Sequence, residues 1–247
     1  MKHRMGIAGL CYLPDVADTH RLEFTPTPAV IAARSHNRYV TCPACERDVP
    51  KYLFHRAGVR FVRCANCDAV YVNPAREQPI NNLDVERTPF KNLRDRELVV
   101  ADFEALLEHV ALDHPGLERT LLIGRYLPEF AELGKQIGLQ VAEITDEVFQ
   151  KLAVESDVSW AAPLLARAPE VVILQELLES CTDPGAVIAG LVAALPASTQ
   201  FVVTYTNADS FPARILRRSW GQFFGTKSAY FSTGNLTALL ARHGLVL

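Results

Sequence analysis

The sequence predicts a doubly wound, Rossmann-like α/β domain that carries a small four-cysteine metal module near its N-terminal end. Three observations point there. From Thr120 onward, short apolar runs alternate with helical segments, which is the pattern of a parallel sheet with right-handed crossovers. Two C-x-x-C pairs, Cys42/Cys45 and Cys64/Cys67, stand eighteen residues apart, a spacing suited to four thiolates around one tetrahedral ion. A length of 247 residues with 49% hydrophobic content supports one medium core plus a small appended module.

Composition narrows the function classes. Charged residues of both signs make up 21% of the chain and the net charge is −3, so neither disorder nor a general nucleic-acid footprint is expected. No apolar run has the length of a membrane span, and the first residues lack the apolar core and cleavage site of a secretion signal. A cytoplasmic protein with no membrane partner is the reading. Of six cysteines, four fall in metal-ligand spacing, while Cys11 and Cys181 lie in unrelated segments. That usage suits a reducing compartment.

In chain order, residues 1–38 contain Pro14, Pro26 and Pro28 and read as an irregular arm or short hairpin. Residues 39–74 form the zinc-ribbon module, whose segments 52–58 and 59–64 alternate well enough for a hairpin between the cysteine turns. A core this small leaves the metal to supply most of the module's folding free energy. Residues 75–116 are a polar, prolyl linker and then a helix with Phe103, Leu106, Leu107 and Val110 on one stripe, stopped by Pro115 and Gly116. The α/β domain spans 117–247. Its strands are expected at 120–124, 139–144, 170–175 and 201–205. Helices are expected after Pro128, from 146, after Asp183 and from 232, with Asp183 as an N-cap ahead of Pro184. Ligands of such sheets sit at the carboxyl ends of the strands, which directs attention to the loops after Gly124, Ile144, Gln175 and Tyr205. Only Leu245, Val246 and Leu247 follow the last helix, so either the sheet keeps an open, truncated edge or the natural chain runs further.

Four ordered segments carry a resemblance. These are the CPAC and CANC pairs followed by VYVNP, the strand–helix opening LLIGRYLPEF, the segment EVVILQELLESCTDP, and RRSWGQFFGTKSAYFS. From about Cys42 to the last residue the chain resembles class I S-adenosylmethionine-dependent methyltransferases with an N-terminal zinc-binding module, including sugar C-methyltransferases. The resemblance implies a methyltransferase-type sheet, a structural zinc ion, S-adenosylmethionine as cofactor, and Gly124 and Asp146 as cofactor-binding residues. It also places Tyr71, Asn73 and Pro74 near the edge of a substrate cleft.

Departures fall on the working positions. Only Gly124 remains of the small residues a cofactor loop needs, followed by Arg125, Tyr126 and Leu127. The ribose-binding carboxylate of the family aligns with Thr145, with Asp146 one position late. Ser180 stands for the family's histidine, and Thr226 and Lys227 stand for its Glu-His pair. Lysine at an ordinary pKa is a poor base, so no catalytic residue is assigned. Glu179 reads either as facing an adenosine region or as solvated. Arg214, Arg217 and Arg218 read either as an anion site or as a solvated face over Trp220, and Cys181 as a buried thiol. Two functions stay open. One is a methyltransferase-like protein of sugar or natural-product metabolism with an eroded cofactor site, acting on a small molecule. The other is an inactive pseudo-methyltransferase that binds a protein partner in a biosynthetic assembly. For the cysteines, a four-thiolate site with no open position implies a structural metal, with zinc favoured over iron.

Overall fold

A computed structural model of the chain describes residues 3–10, 37–56, 58–76, 93–113, 119–124, 128–136, 158–159, 166, 168–223 and 227–246. The strand expected at 139–144, the helix from 146, and Cys11, His114, Arg125, Tyr126, Leu127, Thr145, Asp146 and Thr226 lie outside these residues.

A parallel five-stranded sheet organises the molecule. Its strands are β1 (His3–Leu10), β7 (Thr120–Gly124), β8 (Val171–Gln175), β9 (Gln200–Thr206) and β11 (Leu245–Val246), in the order β11-β1-β9-β8-β7. Alternation along the strands feeds two faces, as a doubly wound sheet requires. Leu121, Ile123, Val172, Leu174, Phe201 and Val203 point into one buried cluster together with Val187, Ile188 and Leu191 of α3 (Pro184–Ala194) and Leu236, Leu239 and Leu240 of α5 (Thr233–Arg242). Leu122, Val171 and Ile173 point the other way. They meet Phe103, Leu107 and Val110 of α1 (Leu93–Asp113), with Leu133 of α2 (Pro128–Gln136) packed against them. The apolar helical stripe read from the sequence is thus the buried face of α1, though the helix begins at Leu93, inside the segment expected to be linker.

The N-terminal segment differs from expectation. Residues His3–Leu10 form no irregular arm but a strand lying parallel between β9 and β11, with Met5 to Leu10 in register with Phe201 to Thr206. The position beside β9 is therefore filled from the start of the chain. Sequence alone assigned no element there, because a six-residue pairing partner nearly two hundred positions away leaves no local trace.

A second, antiparallel sheet has the order β10-β5-β4-β3, formed by β3 (Pro50–Arg56), β4 (Val59–Cys64), β5 (Val70–Val72) and β10 (Ala229–Tyr230). The expected hairpin is β3–β4, with a register irregularity between Tyr52 and Phe54. Its outermost strand β10 comes from the far end of the chain, so the cysteine module and the α/β body share a sheet. A short pair, β2 (Asn37–Arg38) with β6 (Ala75–Arg76), closes the base of the module.

Helix ends follow local chemistry. Asp183 caps α3 as expected, accepting the Ala186 amide at 2.9 Å, and Ser232 and Asn235 form a reciprocal capping box on α5. Within α3, a Cβ at Gly190 would stand 2.6 Å from Val158 Cγ2. Alanine is favoured over glycine in a helix by about 1 kcal/mol, but overpacking costs about 1–3 kcal/mol. Gly190→Ala is therefore expected to lower the urea midpoint of the wild type. The same change made in a Val158→Ala background should raise it, and stabilisation in both backgrounds would contradict the close approach.

Candidate metal centre and buried charge cluster

Each cysteine pair sits on a knuckle of the same design. In the first, the Glu46 amide donates to the Cys42 carbonyl at 2.7 Å and the Cys42 amide donates to the Arg47 carbonyl at 3.0 Å. In the second, Asp68 donates to Cys64 at 3.0 Å and Cys64 to Ala69 at 2.9 Å. The residue after the second cysteine of each pair, Glu46 or Asp68, is left-handed with φ of 62°. This turn directs amides at sulfur: the Asn66 amide reaches Cys64 Sγ at 3.4 Å.

The two knuckles bring all four sulfurs within 4.8 Å of one another, with Cys42 and Cys67 at 3.6 Å and Cys45 and Cys64 at 3.5 Å. A tetrahedral ion with metal–sulfur bonds of about 2.3 Å would set its ligands roughly 3.8 Å apart. Cys42 and Cys64 are buried and the other two are half-buried. Burial pushes the Cys42 thiol far up, and pushes Cys67 up to about 11 despite the Ala69 amide. For Cys45, burial also acts upward, but hydrogen bonds from the Arg47 amide, Asn66 and the neighbouring thiols bring it down to about 7. Four thiolates cannot share so small a volume without a cation, and a bound divalent ion reverses that balance. The donor set fits a closed, structural metal site.

The centre grips the α/β body at both knuckles. From α5, Asn235 Nδ2 donates to the Cys67 carbonyl at 3.4 Å, and Arg242 donates to the Ala44 carbonyl at 2.7 Å while pairing with Glu46 at 3.3 Å. Cys42, Cys64, Ala69 and Tyr71 belong to the same buried cluster as the sheet and helices of the body. The opposite face of the ribbon packs Phe54, Phe61 and Tyr230 against Phe223, with ring centroids 5.0–5.6 Å apart. Trp220 closes this group edge-on to Phe223 at 5.1 Å.

A second cluster sits where strands β8 and β9 end. Lys227 Nζ pairs with Glu179 Oε1 at 3.1 Å and Glu176 Oε2 at 3.2 Å, and it also donates to Thr206 Oγ1. The Thr206 amide donates to Glu179 Oε1 at 3.0 Å. Glu176, the first residue after β8, is left-handed with φ of 47°, and its amide donates to the Thr204 carbonyl at 3.1 Å. The Glu179 carbonyl accepts the amides of Ser228 and Ala229 at 2.7 and 3.0 Å, so the cluster leads directly into β10 and the cysteine ribbon.

Glu179 is fully buried rather than solvated, and its Oε2 has no hydrogen-bond partner among the described residues. Burial pushes its carboxyl up to about 7; the nearby Lys227 cation opposes that rise, and Glu176 adds to it. For Lys227, burial alone would act downward, but the two carboxylates reverse it and hold the ammonium above its ordinary range. Lys227 is thus a fixed cation. It cannot serve as a proton acceptor at neutral pH.

The remaining candidates are placed as follows. Gly124 ends β7 opposite Gln175, and Gln175 Oε1 is buried without a partner among the described residues. Tyr71 and Asn73 are buried in the ribbon. Asn73 acts as a backbone clamp, accepting the Val40 amide at 3.3 Å and donating to its carbonyl at 3.2 Å. Ser180 donates to the Glu176 carbonyl at 3.5 Å. Cys181 is buried and donates to the Leu177 carbonyl at 3.3 Å, and burial pushes its thiol up. Arg214, in α4 (Phe211–Leu216), and Arg217 and Arg218 just after it are exposed beside buried Trp220, in keeping with a solvated face. Sequence reasoning missed Glu176 and Thr206. Neither carries a motif, and both matter only because Lys227 folds back onto them.

No protein family model matches the chain, and no curated protein does. Among solved structures, a Thermotoga maritima protein described as an S-adenosylmethionine-dependent methyltransferase, possible histamine N-methyltransferase, aligns over 66% of this chain and 80% of its own. Its identity is 17% and its TM-score 0.40. A likeness of that size decides nothing about function.

The charge cluster sets a pH dependence. A carboxyl raised from 4.5 to about 7 on folding contributes stability that is complete below about pH 4.5 and is lost as pH rises through about 7. The loss is on the order of 3 kcal/mol by pH 8. Denaturant midpoints of the wild type should therefore fall between pH 5 and pH 8, and Glu179→Gln should flatten that fall. A wild-type midpoint that rises with pH over this window would contradict the assignment.

Proposed function

We propose that this chain is a methyltransferase-like protein of small-molecule metabolism whose four cysteines hold a structural zinc ion. Cys42, Cys45, Cys64 and Cys67 would be its ligands, and the ion would brace the ribbon against the α/β body without touching substrate. Support comes from the parallel sheet, from the order of the four segments that resemble the methyltransferase family, and from the knuckle geometry. A sugar or another natural-product intermediate is the substrate class that the resemblance implies.

One observation favours the second reading, an inactive member that binds a partner or ligand. The lysine standing where the related enzymes carry a Glu-His pair is saturated by Glu176, Glu179 and Thr206. A cation so held can steady negative charge but cannot remove a proton from substrate. Any methyl transfer would need a substrate that is already nucleophilic, or a base from elsewhere in the chain.

Calorimetry on zinc-loaded protein separates the two readings. Saturable binding of S-adenosylmethionine or its demethylated product at micromolar concentration supports the enzyme, and no heat at millimolar ligand supports the binding protein. Elemental analysis of the purified chain should find one zinc per molecule. Substitution of any two of the four cysteines by serine should abolish it, and metal-free folded protein would overturn the structural-zinc assignment.

A further inference from the structure

The charge average over the whole chain conceals a segregation. Residues 37–76 hold seven Lys or Arg against three Asp or Glu, a net +4, in a chain whose total is −3. The remainder is correspondingly acidic. The structure shows where part of that positive charge lies. Arg60 faces His55 directly across the β3–β4 pair, and Lys51 faces Arg63 three rungs away, on the other face of the sheet. The Lys51–Arg63 rung sets like charges directly opposite each other, which is unfavourable in a sheet, and the exposed Arg63–Asp68 contact at 3.8 Å offsets little of it.

Exposed aromatics accompany these cations. Tyr52 is 59% exposed on the outermost strand and stacks near His55, with ring centroids 5.4 Å apart and a hydrogen bond between the Tyr52 hydroxyl and His55 Nδ1 at 3.2 Å. Tyr39 is 71% exposed. It adjoins Val40, which Asn73 clamps, and the Asn73 amide in turn donates to the Arg60 carbonyl at 3.2 Å. Tyr52, His55 and Arg60 therefore share one face of the β3–β4 pair, and the Val40–Asn73–Arg60 bonds bring the backbone of Arg38 and Tyr39 alongside it. With strands about 4.8 Å apart, that row spans room for roughly two or three nucleotides.

We propose that this row of the ribbon binds single-stranded nucleic acid, with bases stacking on Tyr39 and Tyr52 and phosphates held by Arg38 and Arg60. Separated aromatic platforms among cations are what single strands use, since each base offers a π-face and each phosphate a charge. A duplex would present its phosphates but keep its bases from the tyrosines. A bilayer would call for a contiguous apolar patch, whereas the exposed ring atoms here are tyrosyl and flanked by charge. The proposal is independent of whether the α/β body transfers methyl groups.

Fluorescence anisotropy with labelled 12-nucleotide oligo-uridine and oligo-thymidine, on the zinc-loaded full chain, tests it. Binding in the micromolar range is expected, with a log–log salt slope of about −1.4 for two phosphate contacts. The paired change Tyr39→Ala with Tyr52→Ala should weaken binding at least tenfold, whereas Tyr39→Phe with Tyr52→Phe should stay within about twofold of wild type. Zinc content and circular dichroism confirm that the variants are folded. The proposal fails if no binding is seen at about 50 μM protein in 100 mM salt. It also fails if a duplex, heparin or anionic vesicles bind more tightly than the single strands, or if the alanine pair binds like wild type.

Discussion

Four buried or half-buried sulfurs within 4.8 Å of one another are the constraint on which the rest of this structure depends. Thiolates this close repel one another, so the arrangement suits a bound cation. The Asn66 amide aimed at Cys64 Sγ and the left-handed residues after both cysteine pairs give the two turns a common design. What lifts the centre above a local staple is its connections. Helix α5 bonds both knuckles, the ribbon's fourth strand comes from residues 229–230, and the buried cluster of the sheet continues without a break into Cys42 and Cys64.

The charge cluster stands one step from that brace. Ser228 and Ala229 tie the ribbon to the Glu179 carbonyl, and Lys227, the preceding residue, inserts its ammonium between two carboxylates at the ends of the parallel strands. A lone cation surrounded this way gains more from Coulomb attraction than it loses by burial, while burial of Glu179 beside it raises that carboxyl toward neutral pH. The region where α/β sheets hold ligands is thus occupied here by a neutralised, hydrogen-bonded lock. That is a positioning device for the ribbon before it is anything chemical.

Much of this was legible in the residues, for physical reasons that differ by element. Cys42, Cys45, Cys64 and Cys67 announce their geometry because ligand spacing is local. The buried strands at 120–124 and 171–175 announce theirs because parallel strands read as continuous apolar runs. Asp183 and Pro184 mark a helix start by chemistry confined to four residues. By contrast, His3–Leu10 pairs with residues nearly two hundred positions distant, and nothing in its own composition requires a sheet. Glu179 followed by Ser180 looks like a polar loop; only the fold reveals that the carboxyl is sealed under Lys227 from 48 residues away. The basic, tyrosine-bearing ribbon face escaped notice because the acidic body cancels it in the overall charge.

The central claim is that the cysteine centre holds the charge cluster in place through β10. Native-state hydrogen exchange at the Ser228 and Ala229 amides, followed with and without metal, tests it most directly. Strong protection should be lost at both amides when the metal is stripped, together with the amides of Val70–Val72. Protection retained at Ser228 and Ala229 while the ribbon opens would show that the body holds Lys227 unaided, and would contradict the account.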